Sequence, residues 1–168
     1  MADKDMEILV LTTGGTFDKV YFDALSDYKI GEPRAPHILK TARVNCPYRV
    51  QELLRKDSLD LTDEDRAVIV QAVAESSARH IVITHGSDTM TKTAQALADA
   101  NVLEGRTIIF VGAMQPARFA ETDAPFNLGM AFAAAQIAAP GIYIAMSGTI
   151  FPADKVVKNR EKGVFVAS

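Results

Sequence analysis

Four short apolar runs recur along the chain, with stretches of helical spacing between them. The runs are Ile8-Leu9-Val10-Leu11, His80-Ile81-Val82-Ile83-Thr84, Thr107-Ile108-Ile109-Phe110-Val111 and Ile142-Tyr143-Ile144-Ala145-Met146. Each is rich in β-branched residues and nearly continuous rather than alternating, the pattern of strands covered on both faces. Thr62 is placed to cap a helix over residues 63–79, with Asp63, Glu64 and Asp65 in its first turn and Ile69, Val70, Val73, Ala74 and Ser77 along one face. A second helix follows Asp88, with Met90, Ala94, Leu97 and Asn101 on one side and Gly105 near its exit. A third starts near Pro125 and runs through an Ala-rich stretch to Ala138, and a shorter one is expected over residues 48–56. Strands alternating with helices imply right-handed crossovers and a three-layer sheet with mainly parallel strands. Residues 17–41 are crowded with Tyr, Asp, Gly and Pro and read as a hairpin or mobile flap. Gly163-Val164-Phe165-Val166 reads as a terminal strand.

The 168 residues suit one domain, and 48% hydrophobic composition suits a folded core. A net charge of −3 with scattered Lys and Arg gives no electrostatic footprint for nucleic acid. The apolar runs are too short to span a bilayer, and the polar start Met1-Ala2-Asp3-Lys4-Asp5-Met6 shows no signal-peptide pattern, so a cytoplasmic protein without membrane partners is expected. The single Cys46 excludes an intrachain disulfide, and His37 and His80 lack partners at metal-ligand spacing, so no metal or other cofactor is expected.

In an open parallel sheet, ligands bind beyond the carboxyl ends of the strands. Thr12-Thr13-Gly14-Gly15-Thr16 follows the first strand and His85-Gly86-Ser87-Asp88-Thr89-Met90 the second. Gly112-Ala113-Met114-Gln115-Pro116 follows the third, and Ser147-Gly148-Thr149 the fourth, with Lys158 a little further on. Small, hydroxyl-bearing and charged side chains thus gather at one rim. Taken singly, each has an ordinary explanation: a Gly-Gly turn, a helix cap at Ser87 or Asp88, a packing histidine at His85, a solvated lysine. The glycines match neither a phosphate-binding loop nor a dinucleotide fingerprint.

Taken together, Thr13-Gly14-Gly15-Thr16, His85-Gly86-Ser87-Asp88-Thr89-Met90, Gly112-Ala113-Met114-Gln115-Pro116, Asp123-Ala124-Pro125-Phe126-Asn127-Leu128 and Lys158 resemble, in order, the motifs of the bacterial-type L-asparaginases, threonine-dependent amidohydrolases. The resemblance implies a three-layer α/β/α fold of flavodoxin/Rossmann-like type and hydrolysis of L-asparagine to L-aspartate and ammonia, with weak use of glutamine. It implies Thr16 as nucleophile, with Tyr21 on the flap moving its proton. Ser87, Lys158 and Asp88 would form a hydroxyl–amine–carboxylate relay. Asp57 and Ser58 would bind the substrate's α-carboxylate, Asp88 its α-amino group, and the backbone around Gly15 and Ser87 the oxyanion. Attack by Thr16 through a covalent intermediate is the preferred route, with a water activated by the second hydroxyl as the alternative.

Ser87 stands where the family has threonine, which keeps the oxygen but loses the methyl that restricts its rotamer. Gln115 and Ala124 replace arginine and glycine, and Leu59 replaces a polar residue. The family usually adds a C-terminal domain that lends an acidic residue to a neighbour's site. The reading here is a single asparaginase-like domain over residues 1–168, a homodimer or higher oligomer covering the apolar surface left bare, and a high KM. Competing readings are a non-catalytic sensor of asparagine or aspartate, and an amidase for another small amide.

Overall fold

A computed structural model describes residues 6–168. In chain order the elements are β1 (Ile8–Gly14), β2 (Lys19–Phe22), β3 (Asp27–Ile30), α1 (Ala35–Thr41), β4 (Tyr48–Lys56), α2 (Asp63–Glu75) and β5 (His80–Thr84). There follow α3 (Met90–Asp99), β6 (Thr107–Val111), α4 (Ala124–Ile137), β7 (Gly141–Met146), β8 (Thr149–Pro152), β9 (Val156–Asn159) and β10 (Val164–Ala167). Six strands form one sheet in the order β4-β1-β5-β6-β7-β8, parallel except for the antiparallel edge strand β8. The hairpins β2–β3 and β9–β10 stand apart from it. Among the described residues no helix is long and apolar enough to cross a membrane.

The continuous apolar runs are explained by two cores, one on each face of the sheet. Ile8, Val10, Val82, Ile109 and Val111 pack with Ile38 and Leu39 of α1 and Leu128, Ala131 and Phe132 of α4. Leu9, Leu11, Ile81, Ile83, Ile108 and Phe110 pack with Ile69 and Val73 of α2 and Met90, Ala94 and Leu97 of α3. The three-layer α/β/α architecture and its mainly parallel sheet are as the sequence implies. From β1 the chain first builds β4 on one side, then crosses to β5 on the other, so the strand order reverses between β1 and β5. That reversal opens a crevice at the carboxyl ends of these two strands.

The helices depart in detail. Thr62 does cap α2: its Oγ1 accepts from the Asp65 N–H (3.2 Å) while the Asp65 carboxylate accepts from the Thr62 N–H (2.9 Å) and from Lys56 Nζ. The helix ends at Glu75 rather than residue 79, because Ser76 turns extended and its carbonyl accepts from Arg106. Its inner face carries Ile69, Val73, Asp65 and Arg66, whereas Ala74 and Ser77 are exposed. Asn101 lies past α3 with φ 55°, in the left-handed position that ends many helices. Residues 17–41 hold the expected hairpin, β2–β3, and also helix α1, which the local composition does not signal.

Residues 48–56 are not the expected short helix but β4, parallel to β1 over Ile8↔Tyr48 through Thr12↔Glu52. Gln, Glu, Leu, Arg and Lys favour helix by only about 0.7 kcal/mol per residue at most. As a strand the segment completes the β1 ladder and rests Tyr48 and Val50 on one core and Leu53 and Leu54 on the other. Burying such side chains is worth up to roughly 1.5–3 kcal/mol each, so packing overrides propensity. Its charged residues suit an edge strand, where they discourage pairing with another chain.

Candidate active site

At the crevice the two loops touch through their main chains. Gly15 has φ 77°, a conformation open to glycine, and a Cβ there would lie 2.5 Å from both Cα and N of Gly86. Gly86 in turn abuts Ser58: a Cβ on Gly86 would lie 2.5 Å from the Ser58 Cβ. Three chain segments, at the ends of β1, β4 and β5, therefore converge, and Thr16 and Ser87 each follow one of the apposed glycines. We expect Gly15→Ala to cost about 2–5 kcal/mol, from left-handed strain plus backbone collision, read as a lowered urea midpoint.

Ser87 is buried and Thr16 half-buried. Ser87 Oγ accepts from Lys158 Nζ at 2.8 Å, and the same ammonium reaches Asp88 Oδ1 at 2.9 Å. Arg160 lies 3.6 Å from that carboxylate oxygen. Neither Ser87 nor Asp88 caps α3: the N-cap is Thr89, whose hydroxyl instead donates to the Ser58 carbonyl at 2.8 Å. The side chains that could have been ordinary caps are thus committed to Lys158. Lys158 arrives because the chain reverses after β7 and forms the β9–β10 ribbon. Along β9, Val156 and Lys158 share a face, opposite exposed Val157, and Lys158 pairs in register with buried Phe165. Phe165 is fastened by its N–H to Ser147 Oγ at 2.9 Å.

Asp57 is fully engaged: Oδ1 accepts from the Leu59 N–H at 3.0 Å and Oδ2 faces Lys19 Nζ at 3.3 Å. Ser58 is buried against Gly86. Tyr21 stands on the hairpin, about half exposed, with its ring edge-on to Tyr28 directly across the strands. Tyr28 lines a cleft with Lys19, Asp57 and Leu59 whose lining includes none of Thr16, Tyr21, Ser87, Asp88 or Lys158. Neither Tyr28 nor Lys19 stands out in the sequence; their place is set by hairpin register, which local sequence leaves open. The remaining motif is architectural: the Asp123 carboxylate accepts from the N–H groups of Met114 and Gln115 and from Asn127 Nδ2, pinning the loop after β6 to α4.

His85 is buried between the Gly86 carbonyl (Nδ1, 2.8 Å) and Thr93 Oγ1 (Nε2, 2.7 Å). A carbonyl only accepts, so Nδ1 carries the proton and Nε2 accepts from the threonine. Burial pushes its pKa down to about 4, making it a neutral packing group. Asp18, buried beside the hairpin, is pushed up to about 7 by desolvation. These two act oppositely on stability. The Asp18 contribution is present below its ordinary 3.8 and lost as pH rises through about 7. The His85 contribution is present above its ordinary 6.5 and lost as pH falls through about 4. Between about pH 4 and 6.5 the two slopes offset, each being worth about 1 kcal/mol per pH unit. Urea melts across that window should therefore show Asp18→Asn losing stability relative to wild type on acidification, and His85→Gln gaining it.

Residues 7–165 match the family described as Asparaginase, N-terminal. The L-asparaginase of Thermococcus kodakarensis is 32% identical over 170 residues, covering 95% of this chain and 49% of that protein. The solved structure of the thermostable L-asparaginase from the same organism superposes with TM-score 0.83 at 30% identity, over 96% of this chain and 51% of that one. A probable cytoplasmic L-asparaginase from Campylobacter jejuni gives TM-score 0.82 at 26% identity, covering 96% and 53%. A glutamyl-tRNA(Gln) amidotransferase component from Methanococcus vannielii is 31% identical, over 95% of this chain and 38% of that protein. The chain spans about half the length of the curated L-asparaginases it matches. With this match running from β1 to β10, the chain belongs to the asparaginase family and carries its N-terminal domain.

Proposed function

We propose that this domain hydrolyses L-asparagine to L-aspartate and ammonia, with Thr16 as nucleophile. The observation that carries the reading is the Lys158 ammonium bonded at once to Ser87 Oγ and Asp88 Oδ1, across 71 residues of sequence, at the strand-order reversal. An amide is a poor electrophile, so the attacking hydroxyl must lose its proton as the bond forms, and the oxyanion needs prepositioned donors. Thr16 attacks the side-chain carbonyl carbon, ammonia leaves, and water then opens the acyl-enzyme. The Ser87–Lys158–Asp88 relay supplies and removes protons, and the oxyanion takes backbone N–H groups of the loops after β1 and β5 other than that of Gly15, which donates to the Lys56 carbonyl at 2.9 Å. Ser58 receives the substrate α-carboxylate, assisted by the Lys19 charge that Asp57 holds in place, and Asp88 receives the α-ammonium. The reaction uses no cofactor, and the active form is a homodimer or higher oligomer.

Purified protein should release ammonia from L-asparagine. Saturable binding of asparagine by calorimetry without turnover at any pH would instead establish a sensor. The relative named as an amidotransferase makes glutamine the second amide to assay, with a lower kcat/KM expected. Tyr21 moves the Thr16 proton in this scheme, and Tyr28 offers a second phenol on the same hairpin. Tyr21→Phe should lower kcat about 10²-fold. A loss of that size in Tyr28→Phe with Tyr21→Phe unaffected would transfer the role to Tyr28.

A further inference from the structure

The β2–β3 hairpin pairs with no strand of the main sheet, and Tyr21, Phe22, Leu25 and Tyr28 on it are exposed. A two-stranded hairpin is marginal by itself, so what holds its base decides where its tip stands. On one side the Lys19–Asp57 ion pair ties it to the end of β4. On the other, Arg118, in the loop between β6 and α4, straddles both stems. Its Nη1 donates to the carbonyl of Asp18, just before β2, and its Nη2 to the carbonyl of Glu32, just after β3, each at 2.9 Å. The Asp18 carbonyl also accepts from the Gly31 N–H at 2.9 Å, closing the hairpin base. Neighbouring residues repeat the attachment: the Ala117 N–H donates to the Phe17 carbonyl, and the Phe119 ring lies 6.1 Å from that of Tyr28. A guanidinium is suited to this task, since its planar fork presents donors on two separate nitrogens at fixed spacing, whereas an ammonium's donors all sit on one rotatable nitrogen.

We propose that Arg118 is the positioning residue of the hairpin, bridging its two stems so that the tyrosine-bearing strands stand at a fixed angle over the site. The inference rests on the proposed amidohydrolase reading only for its catalytic consequence.

Hydrogen exchange on the full chain tests the clamp without reference to activity. In Arg118→Ala, amides of residues 19–30 should exchange at least tenfold faster, with β5 and β6 unchanged. Arg118→Lys should fall between Arg118→Ala and wild type. Unchanged hairpin exchange would overturn the proposal, as would faster exchange throughout the sheet, which marks general destabilisation. Arg118→Ala should also lower kcat for asparagine at least fivefold, and should cost nothing further in a Tyr21→Phe, Tyr28→Phe background. A full additional loss in that background, or an unaltered kcat in Arg118→Ala, would refute positioning. Failure of the wild-type chain to turn over asparagine would sink the amidohydrolase reading and leave the exchange comparison to decide the clamp.

Discussion

Thr16→Ala should release ammonia from L-asparagine at least about 10³-fold more slowly than wild type, because the proposed scheme loses its bond-forming oxygen. Thr16 is half-buried beyond the end of β1, so deleting its side chain should cost no more than about 1 kcal/mol of stability. Ammonia release and a urea melt on the same preparation separate the two effects. Retained binding with lost turnover is the expected pair. Equal rates in mutant and wild type would exclude Thr16 as nucleophile. The double variant Thr16→Ala, Ser87→Ala sharpens the test. Groups acting as one device are strongly non-additive, so the second substitution should cost little once the first is present. A multiplicative loss would mean that the two hydroxyls serve separate steps.

Lys158→Met carries the second large effect, an expected fall in kcat of about 10²–10⁴-fold. The substitution removes the donor to Ser87 and leaves Asp88 facing only Arg160 at 3.6 Å. Lys158 is largely buried and Asp88 partly so, so stability should also fall, by about 1–3 kcal/mol. Lys158→Arg distinguishes charge from proton transfer. It keeps a cation against Asp88, but a guanidinium does not give up its proton in a protein. A relay predicts that Lys158→Arg recovers much of the stability and little of the rate. Recovery of both would reduce Lys158 to an electrostatic support.

The parallel strands were legible because both faces of the sheet are covered, which forces unbroken apolar runs such as Ile81-Val82-Ile83. The rim residues were legible because loops of such a sheet gather at its carboxyl edge. The edge strand β4 was hidden: half-exposed, with Val50, Leu53 and Leu54 at helix-like spacing, it is fixed as a strand only by pairing with β1. Lys158 reads locally as one more solvated charge. Its inward orientation depends on β9–β10 register and on Phe165 opposite, a tertiary fact. Asp123 and Asn127 showed as a motif without a role, since hydrogen bonds to Met114, Gln115 and Gly112 become visible only when the loop is folded. Of the hairpin, the sequence offered its existence but not which tyrosine lines the cleft, because adjacent strands place both on one face.

The contact between Gly15 and Gly86 has an evolutionary consequence. A critical dimension written in peptide units rather than in rotamers is insulated from drift in the surrounding side chains. A side chain gained at Gly15 would wedge the loop after β1 off the loop after β5, and one gained at Gly86 would wedge the latter off Ser58.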